Sequence, residues 1–253
     1  MPTAPRAGPR VVRADDPSAL GTLAARAVAD RLRAGLRSSR RVVLALAGGT
    51  TPAPVYRLLA AAPDIAFDRV VIFLADERWA EASAPESNEG MVRRELLDRL
   101  PVPPAAFVSW AVGLDRDPEA VAADFADRLG AEAPVGPSGL PQIDATILGL
   151  GPEGHTASVF PASPLIGSPA IAQAVWVEAK AGWRLSCTPR LLASSGWVAF
   201  VVAGADKAEA VREVVGGPLD EQRWPAQAVA RRACDCTVFC DRPAASLLPP
   251  GRS

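Results

Sequence analysis

Residues 42–52 read VVLALAGGTTP: an unbroken apolar run, then two glycines, two threonines and a proline. A short apolar run without polar alternation predicts a strand covered on both faces. Gly48 and Gly49 let the chain turn tightly at the strand's end, and Thr51-Pro52 predicts the opening of a helix. Residues 70–78, VVIFLADER, repeat the scheme, with Asp76-Glu77-Arg78 standing where the glycines stood. Two buried strands, each ending in an abrupt polar segment, point to a parallel sheet with its chemistry at the carboxyl ends.

The flanking sequence extends the alternation. Asp16 and Pro17 open a helix whose apolar face runs Leu20, Leu23, Ala24, Ala27, Val28, Leu32 and Leu36. Ser87 is placed to cap a helix carrying Val92, Leu96, Leu97 and Leu100. Asp117-Pro118 opens another, with Val121, Phe125 and Leu129 on one face and Gly130 as its stop. Residues 131–141 read as a surface loop. Strand-like runs follow at 143–149, 174–178, 183–187, 197–203 and 236–240, and a helix over 206–215 ends at Gly216-Gly217. The expected fold class is α/β, a mostly parallel sheet with helices on both faces in a Rossmann-like three-layer arrangement. No composition break divides the chain, so one domain is expected over 1–253, with flexible ends at 1–10 and 246–253.

A formal net charge of -1 supplies no global field for nucleic acid or an anionic membrane, and neither is expected as a partner. No stretch approaches the roughly 20 apolar residues of a membrane helix. The opening residues, MPTAPRAGPR, lack the apolar core of a secretory signal. With 4 Cys in 253 residues there is no disulfide framework, and the expectation is a cytoplasmic protein with reduced thiols. Cys234, Cys236 and Cys240 alternate as strand residues do, which predicts thiols on one buried sheet face together with Val238; no C-x-x-C pair or second histidine favours a metal.

Ligands of an open parallel sheet sit outside the carboxyl ends of its strands. Gly48-Gly49-Thr50-Thr51, Asp76-Glu77-Arg78 and the segment Gly149 to His155 each follow a strand, and Lys207 lies four residues past the strand ending at Ala203. The glycine turn and following helix start suit a phosphate, with Arg78 and Lys207 as counter-charges. Gly149-Leu150-Gly151-Pro152-Glu153-Gly154 matches the dinucleotide pattern G-x-G-x-x-G, but Pro161 and Pro164 leave no room for the helix that pattern needs. His155, the sole histidine, follows this loop two residues from a carboxylate, where an imidazole can act as general base or acid.

Taken together these segments resemble the glucosamine-6-phosphate isomerase/6-phosphogluconolactonase family, on its lactonase side, from about residue 42 to 245. Gly48-Gly49-Thr50-Thr51-Pro52 resembles its GGxTP loop, and Asp76-Glu77-Arg78-Trp79 with Ser87-Asn88 its DER…SN segment. Residues 148–161, LGLGPEGHTASVFP, are similar to its GxGxDGHxASLFP stretch, with Glu153 where the family usually has Asp. Arg184 to Pro189 resembles its RxTLT-type strand, Gly204 to Lys207 its GxxK turn, and Pro225-Ala226 and Asp241 to Ala245 its carboxyl end. The resemblance implies hydrolysis of the sugar-phosphate lactone 6-phospho-D-glucono-1,5-lactone in the oxidative pentose phosphate pathway, without metal or organic cofactor. It implies His155, Glu153 and Asp76 as catalytic residues. It assigns substrate binding to Gly48, Gly49, Thr50, Thr51, Arg78, Asn88, Gly151, Arg184 and Lys207. A monomer and a small homo-oligomer both remain open. The alternatives are an aminosugar-phosphate deaminase or isomerase, whose pattern continues toward FNEP and needs a second histidine, and a non-catalytic sugar-phosphate-binding protein.

Overall fold

In the computed structural model, residues 8–38, 41–136 and 138–250 are described. The elements run β1 (Arg10–Ala14), α1 (Pro17–Leu36), β2 (Val42–Leu46), α2 (Ala53–Ala60), β3 (Val70–Leu74), β4 (Asp76–Arg78), α3 (Asn88–Glu95), β5 (Ala106–Val108) and α4 (Pro118–Glu132). They continue β6 (Ala145–Leu148), β7 (Ala172–Val177), β8 (Gly182–Cys187), α5 (Pro189–Leu192), β9 (Val198–Val202), α6 (Ala208–Gly216), α7 (Gln227–Ala230) and β10 (Cys236–Asp241). Seven strands form a parallel sheet in the order β1-β10-β9-β6-β2-β3-β5. Every residue of β2, β3, β6, β9 and β10 is buried, as strands covered on both faces must be. Helix α1 packs on β10, β9, β6 and β2 with α2 alongside, and α4 packs on β5, β7 and β8. The fold class is α/β with a mostly parallel sheet.

The expected helix starts are present. Asp16, Ser87 and Asp117 accept hydrogen bonds from the amides of Ala19, Gly90 and Ala120 at 2.8, 3.1 and 3.1 Å. Three boundaries differ. Helix α3 ends at Glu95, short of Leu96, Leu97 and Leu100, and a separate 3-10 turn follows at Leu97–Arg99. Helix α4 runs through Gly130 to Glu132: Ala133 is extended because Pro134 follows it, so the proline, not the glycine, ends the helix. Helix α2 begins at Ala53 with Pro52 at its cap, and no side chain caps it. Neither threonine of the GGTTP loop is spent on the helix. Tyr56, the only tyrosine, instead ties α2 to the sheet through a 2.6 Å bond from its hydroxyl to the carbonyl of Ala47, and burial pushes its phenol far up.

Three further differences follow from sheet context. Strand β1, absent from the sequence reading, has only Val11 and Val12 between arginines and is held by pairing with β10 at the sheet's edge. The outer parts of the two ends expected to be flexible, 1–7 and 251–253, lie outside the described residues. Cys236 and Cys240 are buried on β10, but Cys234 precedes the strand and is exposed. The runs near 174 and 183 do not join the parallel sheet. They pair antiparallel as β7 and β8, and β4 pairs with β8, giving a second sheet of order β4-β8-β7.

Alternation along β4 gives its residues different duties. Asp76 and Arg78 share a face opposite Ser186 and Arg184, whereas Glu77 faces the other way, opposite Leu185. The Glu77 carboxylate is 2% exposed and accepts the backbone N–H groups of Arg78, Asn88 and Glu89 at 2.8, 2.8 and 2.7 Å. The hydroxyl of Ser87 adds a fourth donor at 3.1 Å. A buried carboxylate thus meets the open amides at the start of α3 and anchors that helix to β4. Replacing Glu77 by Ala strands the buried N–H groups of Asn88 and Glu89 and the half-buried one of Arg78, and should cost about 2–4 kcal/mol of stability, read as a lower urea midpoint at unchanged slope.

Candidate active site

The sheet order reverses between β2 and β6. From β2 the chain steps outward through β3 to β5, and from β6 outward through β9 to β10. Loops leaving the carboxyl ends of β2 and β6 therefore diverge and leave a crevice between them. A cleft of about 260 Å³ occupies it. Gly48, Gly49, Thr50 and Thr51 form one wall, Asp76, Arg78 and Asn88 another; Gly151, His155 and Lys207 complete it. Of the residues expected from sequence, Glu153 and Arg184 stand behind these walls rather than in them.

The loop after β6 folds back on itself. The amide of Gly151 donates to the carbonyl of His155 at 2.9 Å, and the hydroxyl of Thr156 to the carbonyl of Gly149 at 2.9 Å. No α-helix opens from the loop, only a short 3-10 turn at Pro164–Gly167, in keeping with rejection of the dinucleotide pattern. A β-carbon on Gly151 would lie 1.9 Å from His155 Nδ1, so glycine is required for the ring to lie against the loop. Gly154, at φ +82, packs under Trp224, and its carbonyl accepts the amide of Ala226 at 2.9 Å. Phe160 stacks on the imidazole with ring centroids 4.4 Å apart and an interplanar angle of 20°. His155 Nδ1 is 3.2 Å from Glu153 Oε2, within ion-pair reach, although the two atoms are not aligned as a hydrogen bond. Partial burial raises the Glu153 carboxyl, but its own backbone N–H and the charges of His155 and Lys180 outweigh this and hold it below the usual value.

Asp76 faces the cleft from β4 and is 8% exposed. Its Oδ2 accepts the hydroxyl of Ser158 at 2.8 Å, and the side-chain amide of Asn88 donates to its carbonyl at 2.9 Å. Burial pushes its carboxyl above the ordinary value, against the pull of Ser158 and the charges of Arg78, His155 and Arg184. The amide of Asn88 also abuts Gly48, where an added β-carbon would lie 1.7 Å from Oδ1. Gly48 is thus needed for close approach, while Gly49, at φ +97, is needed for its backbone angle.

Two cations meet across the small sheet. Arg78 and Arg184 are direct partners in the β4–β8 register. Like charges opposite each other are unfavourable without an anion between or beside them. Arg78 donates to the carbonyl of Glu86, and Arg184 to that of Trp183 at 2.9 Å. Burial and the charge of Arg78 lower the Arg184 guanidinium. Lys207 enters from the opposite wall, with its Nζ 2.7 Å from Asp206 Oδ2. Asp241, 2% exposed at the end of β10, receives the amide of Gly204 on both oxygens at 3.1 Å and that of Ala244 at 2.9 Å. It thereby fixes the turn that carries Lys207.

Ser158, Phe160 and Asp241 were not assigned roles from sequence. Ser158 and Phe160 lie within five residues of His155, which was a usable signal; Asp241 acts across 37 residues and carried no local one.

Residues 15–239 match the family described as glucosamine-6-phosphate isomerases/6-phosphogluconolactonase. A 6-phosphogluconolactonase of Pseudomonas putida is 34% identical over 213 residues, covering 80% of this chain and 81% of the relative. One of Mesorhizobium japonicum is 35% identical over 222 residues, covering 85% and 87%. Among solved structures, a 6-phosphogluconolactonase from Shewanella baltica aligns with a TM-score of 0.80 at 27% identity, over 92% of this chain and 97% of that one. A monomeric glucosamine-6-phosphate deaminase, at 24% identity and a TM-score of 0.79 over 94% and 99%, shares the fold. With its glycine loops, β4 tripeptide and histidine loop set around one cleft, the chain belongs to the glucosamine-6-phosphate isomerase/6-phosphogluconolactonase family.

Proposed function

We propose that this chain is a single-domain cytoplasmic 6-phosphogluconolactonase, opening 6-phospho-D-glucono-1,5-lactone to 6-phosphogluconate by attack of water on the lactone carbonyl. One observation carries the reading: His155, backed by Glu153, lines the same cleft as Arg78 and Lys207, an arrangement of one base and two cations suited to a small anionic ligand. The name shared by the curated relatives supports the same reaction.

In this reading His155 takes the proton of the attacking water, and Glu153 holds the imidazole in orientation and favours its charged form. Backbone N–H groups of the glycine loops face the oxygen on which negative charge develops. Arg78 and Lys207 hold the phosphate, with Thr50 and Thr51 beside it at the uncapped start of α2. Arg184 reinforces Arg78 from the neighbouring strand. Asn88 and Ser158 hold Asp76 at the cleft, where it orients the water or a sugar hydroxyl. Remote binding of the phosphate fixes the ring for attack, and a δ-lactone is reactive enough that no covalent nucleophile is required. The single histidine favours this reaction over aminosugar deamination.

Hydrolysis of freshly generated lactone, followed against the spontaneous rate, tests the proposal. His155→Ala should lower kcat by about 10²–10⁴-fold; retention of near-full activity removes the histidine from the mechanism, and ammonia release from glucosamine 6-phosphate would redirect the assignment. Lys207→Ala removes a charged contact to the phosphate and should raise KM roughly 10- to 100-fold with a smaller effect on kcat. Asp76 supplies a stability test. Its folded-state pKa is raised, so its protonation favours the fold: that stabilisation is complete below the unfolded-state value of about 4 and is lost as pH rises through the folded-state value. Asp76→Asn should therefore be more thermally stable than the parent at neutral pH, with the difference shrinking as pH falls toward about 4.

A further inference from the structure

The β7–β8 turn is held in an unusual shape. Val177 pairs with Gly182, and between them Ala181 sits in the left-handed region at φ 44 and ψ 44, where a side chain is strained. Trp176 and Trp183 pack edge to face across the hairpin, 5.9 Å between centroids. The indole N–H of Trp176 binds Glu178 Oε2 at 2.7 Å. Glu178, the acid two residues before Lys180, is thus engaged elsewhere, and Lys180 has no ion-pair partner among the described residues. Its ammonium lies 5.9 Å from the centre of the Phe160 ring, within cation–π range, and that ring stacks on His155. The same ammonium acts on the charge of Glu153. The charged groups around Glu153 are therefore His155 in its own loop and Lys180 on the hairpin, while Asp76 faces His155 from β4.

We infer that Lys180 is a positioning residue for the His155–Glu153 pair, steadying the Phe160 ring against the imidazole and keeping a positive charge beside the histidine loop. The inference rests on the lactonase reading and adds to it a contribution from the second sheet. A strained, tryptophan-braced turn whose acid is drawn aside sets the Lys180 ammonium over the Phe160 ring of the histidine loop. Without that cation the ring is held less firmly, and Glu153 retains its proton to higher pH.

The test compares the full-length parent, Lys180→Ala and Lys180→Arg in lactone hydrolysis across pH, with thermal melting as a check on folding. Lys180 is exposed, so unchanged melting is expected for both variants. The expected result for Lys180→Ala is a fall in kcat of about three- to tenfold with KM within about twofold, and an acidic limb of the pH–rate profile moved to higher pH. Lys180→Arg, which keeps the charge and binds aromatic faces, should restore both. An unchanged kcat and profile would overturn the inference, as would a loss confined to KM, which marks a direct substrate contact, or a loss that arginine does not recover. Absence of turnover by the parent protein overturns the lactonase reading and this inference with it; parent turnover with an unaffected Lys180→Ala overturns the inference alone.

Discussion

Gly48 has no room for a side chain because the amide of Asn88 occupies the space its β-carbon would need. That approach clamps the first glycine loop to the start of α3. Through the same amide's bond to Asp76 it also clamps the loop to β4. Glu77 then fixes α3 from beneath, so two walls of the cleft are tied to each other. The distance between the first glycine loop and β4 is set by packing. Such a site is assembled before substrate arrives, which is what positioning catalysis of a small, already reactive lactone requires.

The parallel sheet explains why so much polarity gathers at one rim. Strands β2, β3 and β6 are closed to water on both faces, so their polar residues must find partners inside or be placed at the ends. Thr146 is the interior exception, and it binds the hydroxyl of Ser195 at 2.7 Å. Everything else that carries chemistry is displaced to the carboxyl ends, and the reversal of strand order between β2 and β6 opens a space for it.

That logic is why the parallel strands and the main site residues could be read from sequence. Unbroken runs such as VVLALA and VVIFLA have one interpretation, and the polar segments after them inherit a position from it. What escaped depended on pairing between distant segments. Nothing in residues 172–187 says that they abandon the parallel sheet; the pairing with β4 decides it, and β4 is only three residues long. Strand β1 needs β10 beside it to be a strand at all. Gly130 does not stop α4 because an exposed helical glycine costs only about 1 kcal/mol, less than the conformational restriction that Pro134 places on Ala133. Within the site, Glu153 was legible from its spacing to His155, whereas Asp241 reaches the Lys207 turn from the end of another strand.

The odd–even division of labour on β4 makes alignment of that tripeptide a functional variable in its own right. With a side-chain period of two, a slip of one position against β8 would turn Glu77 toward the cleft and send Asp76 and Arg78 toward the interior, exchanging the anchor for the working groups. An insertion or deletion at Ala75, the single residue between β3 and β4, would therefore disturb the cleft more than a substitution there, whereas added length after Arg78, where the chain leaves the strand, would keep this alignment.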